Sequence, residues 1–317
     1  MSAAVLLADI GGTNARFALM TDRLGAIRHL KVSEYPGPKD AMATVLRAEG
    51  PGLRLAGAVL AVAAPVEGDS CRFTNSPWVV DAAELRAAFG IPQVVLVNDF
   101  EAVGWSLASL APGDLLAVGA GAAVPHGPMV VLGPGTGLGV AALVPGPGGS
   151  VVVPTEGGHA TLAVTTDREA AVVALLRRRY GHVSAERALS GPGIEALHAA
   201  IAAVDGVLVP ARRAAEITQL AEEGTCPVCR AAVDMFCAML GSVAGDLALI
   251  FRARGGVFVA GGIVPRLGQR FASSEFRARF EAKGRFEPYL AAIPTSVIVH
   301  PDVAFVGLQA IAARLRA

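Results

Sequence analysis

The chain carries no excess of charge of either sign: 27 Lys and Arg stand against 27 Asp and Glu, for a formal net charge of zero. No basic excess is available to drive nucleic-acid binding or to hold the protein on an anionic membrane. No G-x-x-x-x-G-K-[ST] occurs, which removes the P-loop class. The third glycine of G-x-G-x-x-G is missing from both glycine-rich turns at the N-terminal side of the sequence, so neither is a dinucleotide fingerprint. No basic-then-apolar leader with a small-residue cleavage site stands at the start. Residues 115–155 lack Asp, Glu, Lys and Arg altogether. Pro125, Pro128, Pro134, Pro145 and Pro147 nevertheless cut that stretch into pieces too short to span a bilayer, and it reads as buried strands joined by turns. A soluble, cytoplasmic protein is expected. Cysteine is scarce too, with four in the chain. Cys226-Pro227-Val228-Cys229 has metal or redox spacing, but a zinc site needs further ligands, so the pair reads as a helix start with two incidental thiols.

What is present is apolar and glycine-rich: 53% of the 317 residues are hydrophobic, 17% are charged and 37 are glycine. That excludes a disordered chain and allows two domains. The organising stretch is Val5 to Met20, two apolar runs flanking Asp9-Ile10-Gly11-Gly12-Thr13, which reads as a β-hairpin. Backbone N–H groups at Gly11 and Gly12 are open to a phosphate chain because no Cβ shields them. Asp9 belongs beside a phosphate only if a cation separates the two, which points to a magnesium–nucleotide. The competing reading is a plain Gly-Gly hairpin with a surface acid.

A polar segment (21–29) and a helix (39–49) follow. Leu55 to Ala64 then reads as a central strand apolar on both faces. Cys71 to Trp78 reads as a polar loop, and Asp81 caps a helix reaching Phe89. Gln93 to Val97 is a buried strand ending in Asn98-Asp99, with a helix continuing towards Leu110. Alternating strands and helices place ligands beyond the carboxyl ends of the strands, where Asn98 and Asp99 stand. Ala111-Pro112-Gly113 marks a domain boundary. Beyond it, Met129 to Leu132, the turn Gly133 to Gly139 with Thr136, and Val140 to Val144 repeat the opening device. Glu156-Gly157-Gly158-His159 reads as a loop projecting both side chains. Helices are expected at 166–180, at 182–187 with Ser184 as cap, at 211–223 and at 229–252, the second of these stopping at Ser190-Gly191-Pro192-Gly193. A strand then runs into Gly261-Gly262, and a final amphipathic helix spans 305–315.

These motifs stand in one order along the chain: Asp9-Ile-Gly-Gly-Thr-Asn14, Phe73-Thr-Asn75, Val97-Asn-Asp-Phe100, Gly133-Pro-Gly-Thr-Gly-Leu-Gly139, Glu156-Gly-Gly-His159, His182-Val-Ser-Ala-Glu-Arg187, Ser190-Gly-Pro-Gly193 and Val259-Ala-Gly-Gly-Ile-Val-Pro265. Together they resemble the bacterial ATP-dependent glucokinase family, within the actin-like, hexokinase and sugar-kinase class, over nearly the whole chain. The resemblance implies an α/β fold of two ribonuclease-H-like (actin-like ATPase) domains flanking a cleft. The small domain would be residues 1–110 completed by the C-terminal helix 301–317, and the large domain 111–300. Family members are typically homodimers. A related branch carries a zinc-binding cysteine cluster and often a DNA-binding helix pair; this chain lacks that cluster, and its first strand begins at Val5, which argues against a sugar-responsive repressor.

The reaction implied is transfer of the γ-phosphoryl group of MgATP to the 6-hydroxyl of glucose. A sugar hydroxyl is a poor nucleophile and needs a positioned carboxylate to accept its proton. Asp99 matches the catalytic aspartate of the family, against the alternative that it only caps the following helix. Asn75, Asn98, Asp99, Glu156, His159 and Glu186 match the sugar-binding positions. For Glu186 the alternative is a first-turn acid favoured by the helix dipole, and for His159 a buried structural imidazole. The nucleotide would lie along Ala8, Asp9, Ile10, Gly11, Gly12 and Thr13, with Thr136 and Gly137 opposite and Gly261 and Gly262 at the adenosine end. Asp9 would hold Mg2+ through water. Arg16 is left either as a phosphate partner or facing solvent. The competing functions are the same chemistry on another hexose or an N-acetylhexosamine, and a non-catalytic sugar sensor. ADP or polyphosphate as donor would present the same turns.

Overall fold

The computed structural model describes residues 4–50, 52–73 and 76–316. The chain divides into two compact units, residues 1–110 with 301–317, and residues 111–300.

In the first unit, β1 (Ala4–Ile10) and β2 (Asn14–Met20) form the opening hairpin in antiparallel register, with Asp9 opposite Arg16. A short edge strand β3 (Arg28–Lys31) extends it. This strand falls where a polar segment was expected, because an edge strand exposed on both faces carries no apolar alternation. Helix α1 (Pro38–Arg47) leads to β4 (Leu55–Val62). Cys71 and Arg72 of the expected loop belong to a small meander of β5 (Val66–Glu67), β6 (Ser70–Arg72) and β7 (Val79–Asp81), while Phe73 and residues 76–78 lie outside any strand. Asp81 caps α2 (Ala82–Phe89), its carboxylate accepting the Glu84 N–H. Next come β8 (Val94–Asn98) and α3 (Asp99–Ser106), which ends four residues short of Leu110. The sheet order is β3-β2-β1-β4-β8, with β1, β4 and β8 parallel.

The second unit repeats this order. After the edge strand β9 (Leu115–Ala117), β10 (Met129–Pro134) and β11 (Leu138–Val144) make a hairpin, and β12 (Val151–Thr155) extends it. Helices α4 (Asp167–Tyr180, capped by Thr166), α5 (Gly191–Val204), α6 (Ala214–Glu222) and α7 (Pro227–Phe251) follow. Strand β13 (Gly256–Val259), helices α8 (Val264–Ala272), α9 (Phe276–Glu281) and α10 (Glu287–Ala291), and β14 (Thr295–Ile298) complete it. The order is β12-β11-β10-β13-β14-β9, again with the three strands β10, β13 and β14 parallel. Each unit is thus a hairpin-led mixed sheet of the actin-like ATPase type.

Two readings of this region change. Ser190-Gly191-Pro192-Gly193 does not end a helical stretch; it starts α5, with Ser190 Oγ accepting the Gly193 N–H. A serine cap followed by proline in the first turn is a helix-start signal, and glycine on either side of that proline hid it. Ser184 occupies the cap position of the one-turn 3₁₀ helix Ala185–Arg187, but its side chain makes no cap hydrogen bond. Helix α7 is long and apolar enough to cross a bilayer by length and composition, yet 72% of its apolar window is buried inside the protein. It is the central core helix of the second unit, packed among Phe271, Phe276 and Phe280.

Helix α11 (Val303–Arg316) returns to the first unit and packs on α3 through Phe305, Leu308 and Ala312. The two helices approach so closely that a Cβ at Gly307 would overlap the Ala102 carbonyl oxygen.

Candidate active site

In the first unit the parallel register brings Asp9 level with Ala61 of β4, and Ala61 level with Val97 of β8. Asp9 and the Asn98-Asp99 pair therefore emerge at the same carboxyl edge of one sheet, the edge where such sheets hold ligands. Ala8 and Ile10 point into the core and are fully buried, so any part they take in binding is through backbone alone. The turn itself is closed by Gly11 N–H donating to the Asn14 carbonyl at 2.9 Å, which leaves the Gly12 and Thr13 backbone as its outward face. Neither Gly11 nor Gly12 has positive φ, so backbone conformation does not require glycine at either position, whereas close approach of a ligand would.

Arg16 neither faces solvent freely nor stands ready for a phosphate. Its guanidinium pairs with the Asp9 carboxylate across the hairpin and with Asp302 at 2.8 Å from the start of α11. The Asp9 contacts both use Oδ2.

Asp99 opens α3. Asn98 sits before it as the cap, its Oδ1 accepting the Phe100 N–H at 2.9 Å and its Nδ2 donating to the Ala64 carbonyl at 3.4 Å. Asp99 Oδ1 accepts the same Phe100 N–H at 2.8 Å. Burial raises the Asp99 carboxyl from 3.8 to about 6, and repulsion from the Asp9 carboxylate adds to it; hydrogen bonds from the backbone and from Asn98 only partly oppose the rise. A carboxylate that ionises near neutrality at a ligand edge has the proton affinity of a general base. Asn75 lies outside the described residues.

In the second unit the site residues gather around the β10–β11 turn. Glu186, on the turn Ala185–Arg187, uses Oε2 to accept the Leu138 N–H at 2.9 Å. A Cβ at position 137 would overlap that same Oε2, so only glycine there lets the carboxylate close on the turn. Glu156 and His159 flank the one-turn 3₁₀ helix Gly157–His159, both exposed, with Nε2 and Oε2 3.8 Å apart. The reading of His159 as a buried structural histidine is therefore wrong.

A cavity of about 770 Å³ opens beside the turn, lined by Gly135 and Thr136, by the first turn of α5, by the length of α6, and by Gly262 and Arg266. Strands β10 and β13 are parallel neighbours, so their glycine turns share this carboxyl edge. Thr136 and Gly262 line the cavity, whereas Gly137 backs onto Glu186 and Gly261 onto the Pro134 carbonyl. Helix α5 is seated on the turn by Gly191 N–H donating to the Gly135 carbonyl at 2.8 Å. Glu195 in turn accepts the Ala214 N–H, tying α5 to the start of α6. Sequence reasoning missed Ile194, Glu195, Thr218 and Gln219 in this wall; the cap-and-proline start of α5 was the one signal for the first two.

Comparison with known proteins agrees with this architecture. The family model described as Glucokinase matches residues 6–315. The chain is 49% identical over 311 residues to a glucokinase of Paramagnetospirillum magneticum, covering 97% of each chain. It is also similar to the crystal structure of a glucokinase from an Antarctic psychrotroph, with a TM-score of 0.92, 36% identity, and coverage of 99% of this chain and 100% of that one. A glucokinase from Balamuthia mandrillaris, solved in complex with glucose, shares the fold at a TM-score of 0.80 and 21% identity, covering 98% of this chain and 94% of that one.

Proposed function

The chain belongs to the glucokinase family, and we propose that it works as an ATP-dependent hexose kinase with Asp99 as the base. It moves the γ-phosphoryl group of ATP to the 6-hydroxyl of glucose, giving glucose 6-phosphate and ADP. The observation that carries the mechanism is Asp99 at a sheet's carboxyl edge with its carboxyl raised to about 6. Asp99 takes the proton as the sugar oxygen bonds to phosphorus and the bridge to the β-phosphate breaks. Asn98 holds Asp99 in place through the shared Phe100 N–H and presents its amide to the sugar. Glu186, Glu156 and His159 bind further hydroxyls, and Asn75 joins them. Glu186 keeps Oε1 for this purpose, because only Oε2 is spent on Leu138.

Gly12 and Thr13 receive phosphates on the first unit; the Gly11 N–H, expected to be open, is spent on the Asn14 carbonyl, so Gly11 lets the chain approach without donating, and the backbone of Ala8 and Ile10 fixes the turn. Thr136 and Gly137, and Gly261 and Gly262, serve the nucleotide on the second, where the 770 Å³ cavity accommodates the adenosine end. Asp9 fits magnesium held through water: Arg16 occupies Oδ2, and the nearby Asp99 adds negative potential. When bound, the ion neutralises phosphate charge. A homodimer in the cytoplasm, acting at the entry of glycolysis, is part of the same proposal and rests on the family.

Coupled ADP release with MgATP across a panel of hexoses and N-acetylhexosamines tests it. Sugar-dependent release with glucose preferred is expected. Absence of any sugar-dependent release, or preference for ADP or polyphosphate as donor, overturns it.

A further inference from the structure

Cys226 and Cys229 are three residues apart at the start of α7, and no second ligand pair follows them in the sequence. The fold supplies a third group from upstream. His198, in the middle of α5, brings a ring nitrogen within 4.8 Å of both thiol sulfurs, and the two sulfurs lie within the same distance of each other. Both thiols are free. His198 is 2% exposed, and its Nε2 is buried without a hydrogen-bond partner among the described residues. A buried imidazole nitrogen left without a partner is unfavourable, so its position calls for one. Cys226 already directs its sulfur inward as the cap of α7, accepting the Cys229 N–H at 3.4 Å.

We propose that His198, Cys226 and Cys229 form a zinc site that pins α5 to the start of α7. Two thiolates and an imidazole are the donor set that a borderline-soft divalent cation with tetrahedral preference takes, at bond lengths of about 2.3 Å to sulfur and 2.0 Å to nitrogen. Such lengths require only a small contraction of the present spacing. Binding releases two protons, one from each thiol, and the resulting centre is neutral. The surrounding charge is neutral as well, since Arg212, which bears on all three groups, is paired with Glu216. A water completes the tetrahedron and leaves the centre neutral. The site lies behind the cavity wall: Ile194 and Glu195 stand about one helical turn before His198, and Ala215 of α6 adjoins Glu216. Occupancy therefore stiffens α5, one of the helices that line the cavity, independently of the catalytic groups.

The test is titration of the reduced, metal-stripped protein with Co2+ as a spectroscopic stand-in, followed by displacement with Zn2+. The expected result is one equivalent bound, with a thiolate-to-cobalt charge-transfer band and the visible bands of a tetrahedral centre, both lost on adding Zn2+. Cys226→Ser is the informative variant, because serine is itself a favoured helix cap and preserves the start of α7. It should keep kinase activity and lose the charge-transfer intensity of one thiolate. Its affinity should fall by more than the roughly 10–100-fold typical of losing an outer-shell partner. His198→Gln should weaken binding while retaining both thiolate contributions. No charge-transfer band at saturating Co2+, or a band unchanged in Cys226→Ser, overturns the site.

Discussion

Replacing Asp99 by Asn should make the enzyme inactive and more stable at the same time. In the folded chain Asp99 ionises near 6, against 3.8 as its ordinary value. The folded state therefore holds this proton more tightly than the unfolded state does. Stability falls as pH rises from about 4 to 6, and the full penalty applies above that window. Each tenfold in proton affinity is worth about 1.4 kcal/mol, so ionised Asp99 opposes folding by about 3 kcal/mol at pH 8 and roughly half as much at pH 5. Asparagine removes the charge while its Oδ1 still accepts the Phe100 N–H. Thermal unfolding of both proteins at pH 8, 5 and 4 should show the variant ahead by several degrees at pH 8, with the gap closing as pH falls. Turnover should drop by roughly 10²–10⁴, the usual contribution of a positioned base, while glucose binding by calorimetry persists. An advantage over wild type no larger at pH 8 than at pH 4 would refute the burial argument. A turnover within tenfold of wild type would refute Asp99 as the base.

Wild-type kcat/KM should fall on the acid side with a limb near pH 6, since the base works only when deprotonated; a flat profile down to pH 5 contradicts the assignment. Arg16→Gln leaves Asp9 unpaired beside Asp99, so added repulsion should push that limb to higher pH, visible in the same profile. Gly137→Ala sets a Cβ against Glu186 Oε2 and should break its bond to the Leu138 N–H. Steady-state kinetics should then show glucose KM up by about tenfold, or about 1.4 kcal/mol, with kcat changed less.

Features encoded locally were legible in the sequence. The opening hairpin, the strand at Leu55, the cap at Asp81 and the glycine turn at Gly133–Gly139 each need only neighbouring residues to define them, and each stands where the pattern put it. The misses have physical reasons. Strand β3 and the meander between Val66 and Asp81 are short and lie at or outside the edge of the main sheet, so they show no apolar period. Helix α5 was lost because Gly191 and Gly193 read as a breaker, although the same residues let its first turn sit against the Gly135 carbonyl and Ala188.

Long-range charge pairing was not legible at all. The strand alternation leaves Arg16 between a phosphate partner and a solvent-facing side chain, and only the return of α11 brings Asp302 to it across 286 residues. That closure changes what Asp9 is. Two carboxylates at one sheet edge repel, and the structure treats them in opposite ways: Asp9 is held by an arginine, while Asp99 is buried with no cation beside it among the described residues, and its proton affinity rises. Divergent environments for paired acids fit the roles proposed above, Asp9 beside a metal and Asp99 as proton acceptor. The sequence supplies both acids, but only the fold decides which receives the arginine. The division of labour therefore depends on α11 docking: helix packing around Phe305 and Gly307 keeps Asp302 on Arg16 and Arg16 on Asp9. Packing at the end of the chain thus sets the ion pairing of Asp9 at its beginning.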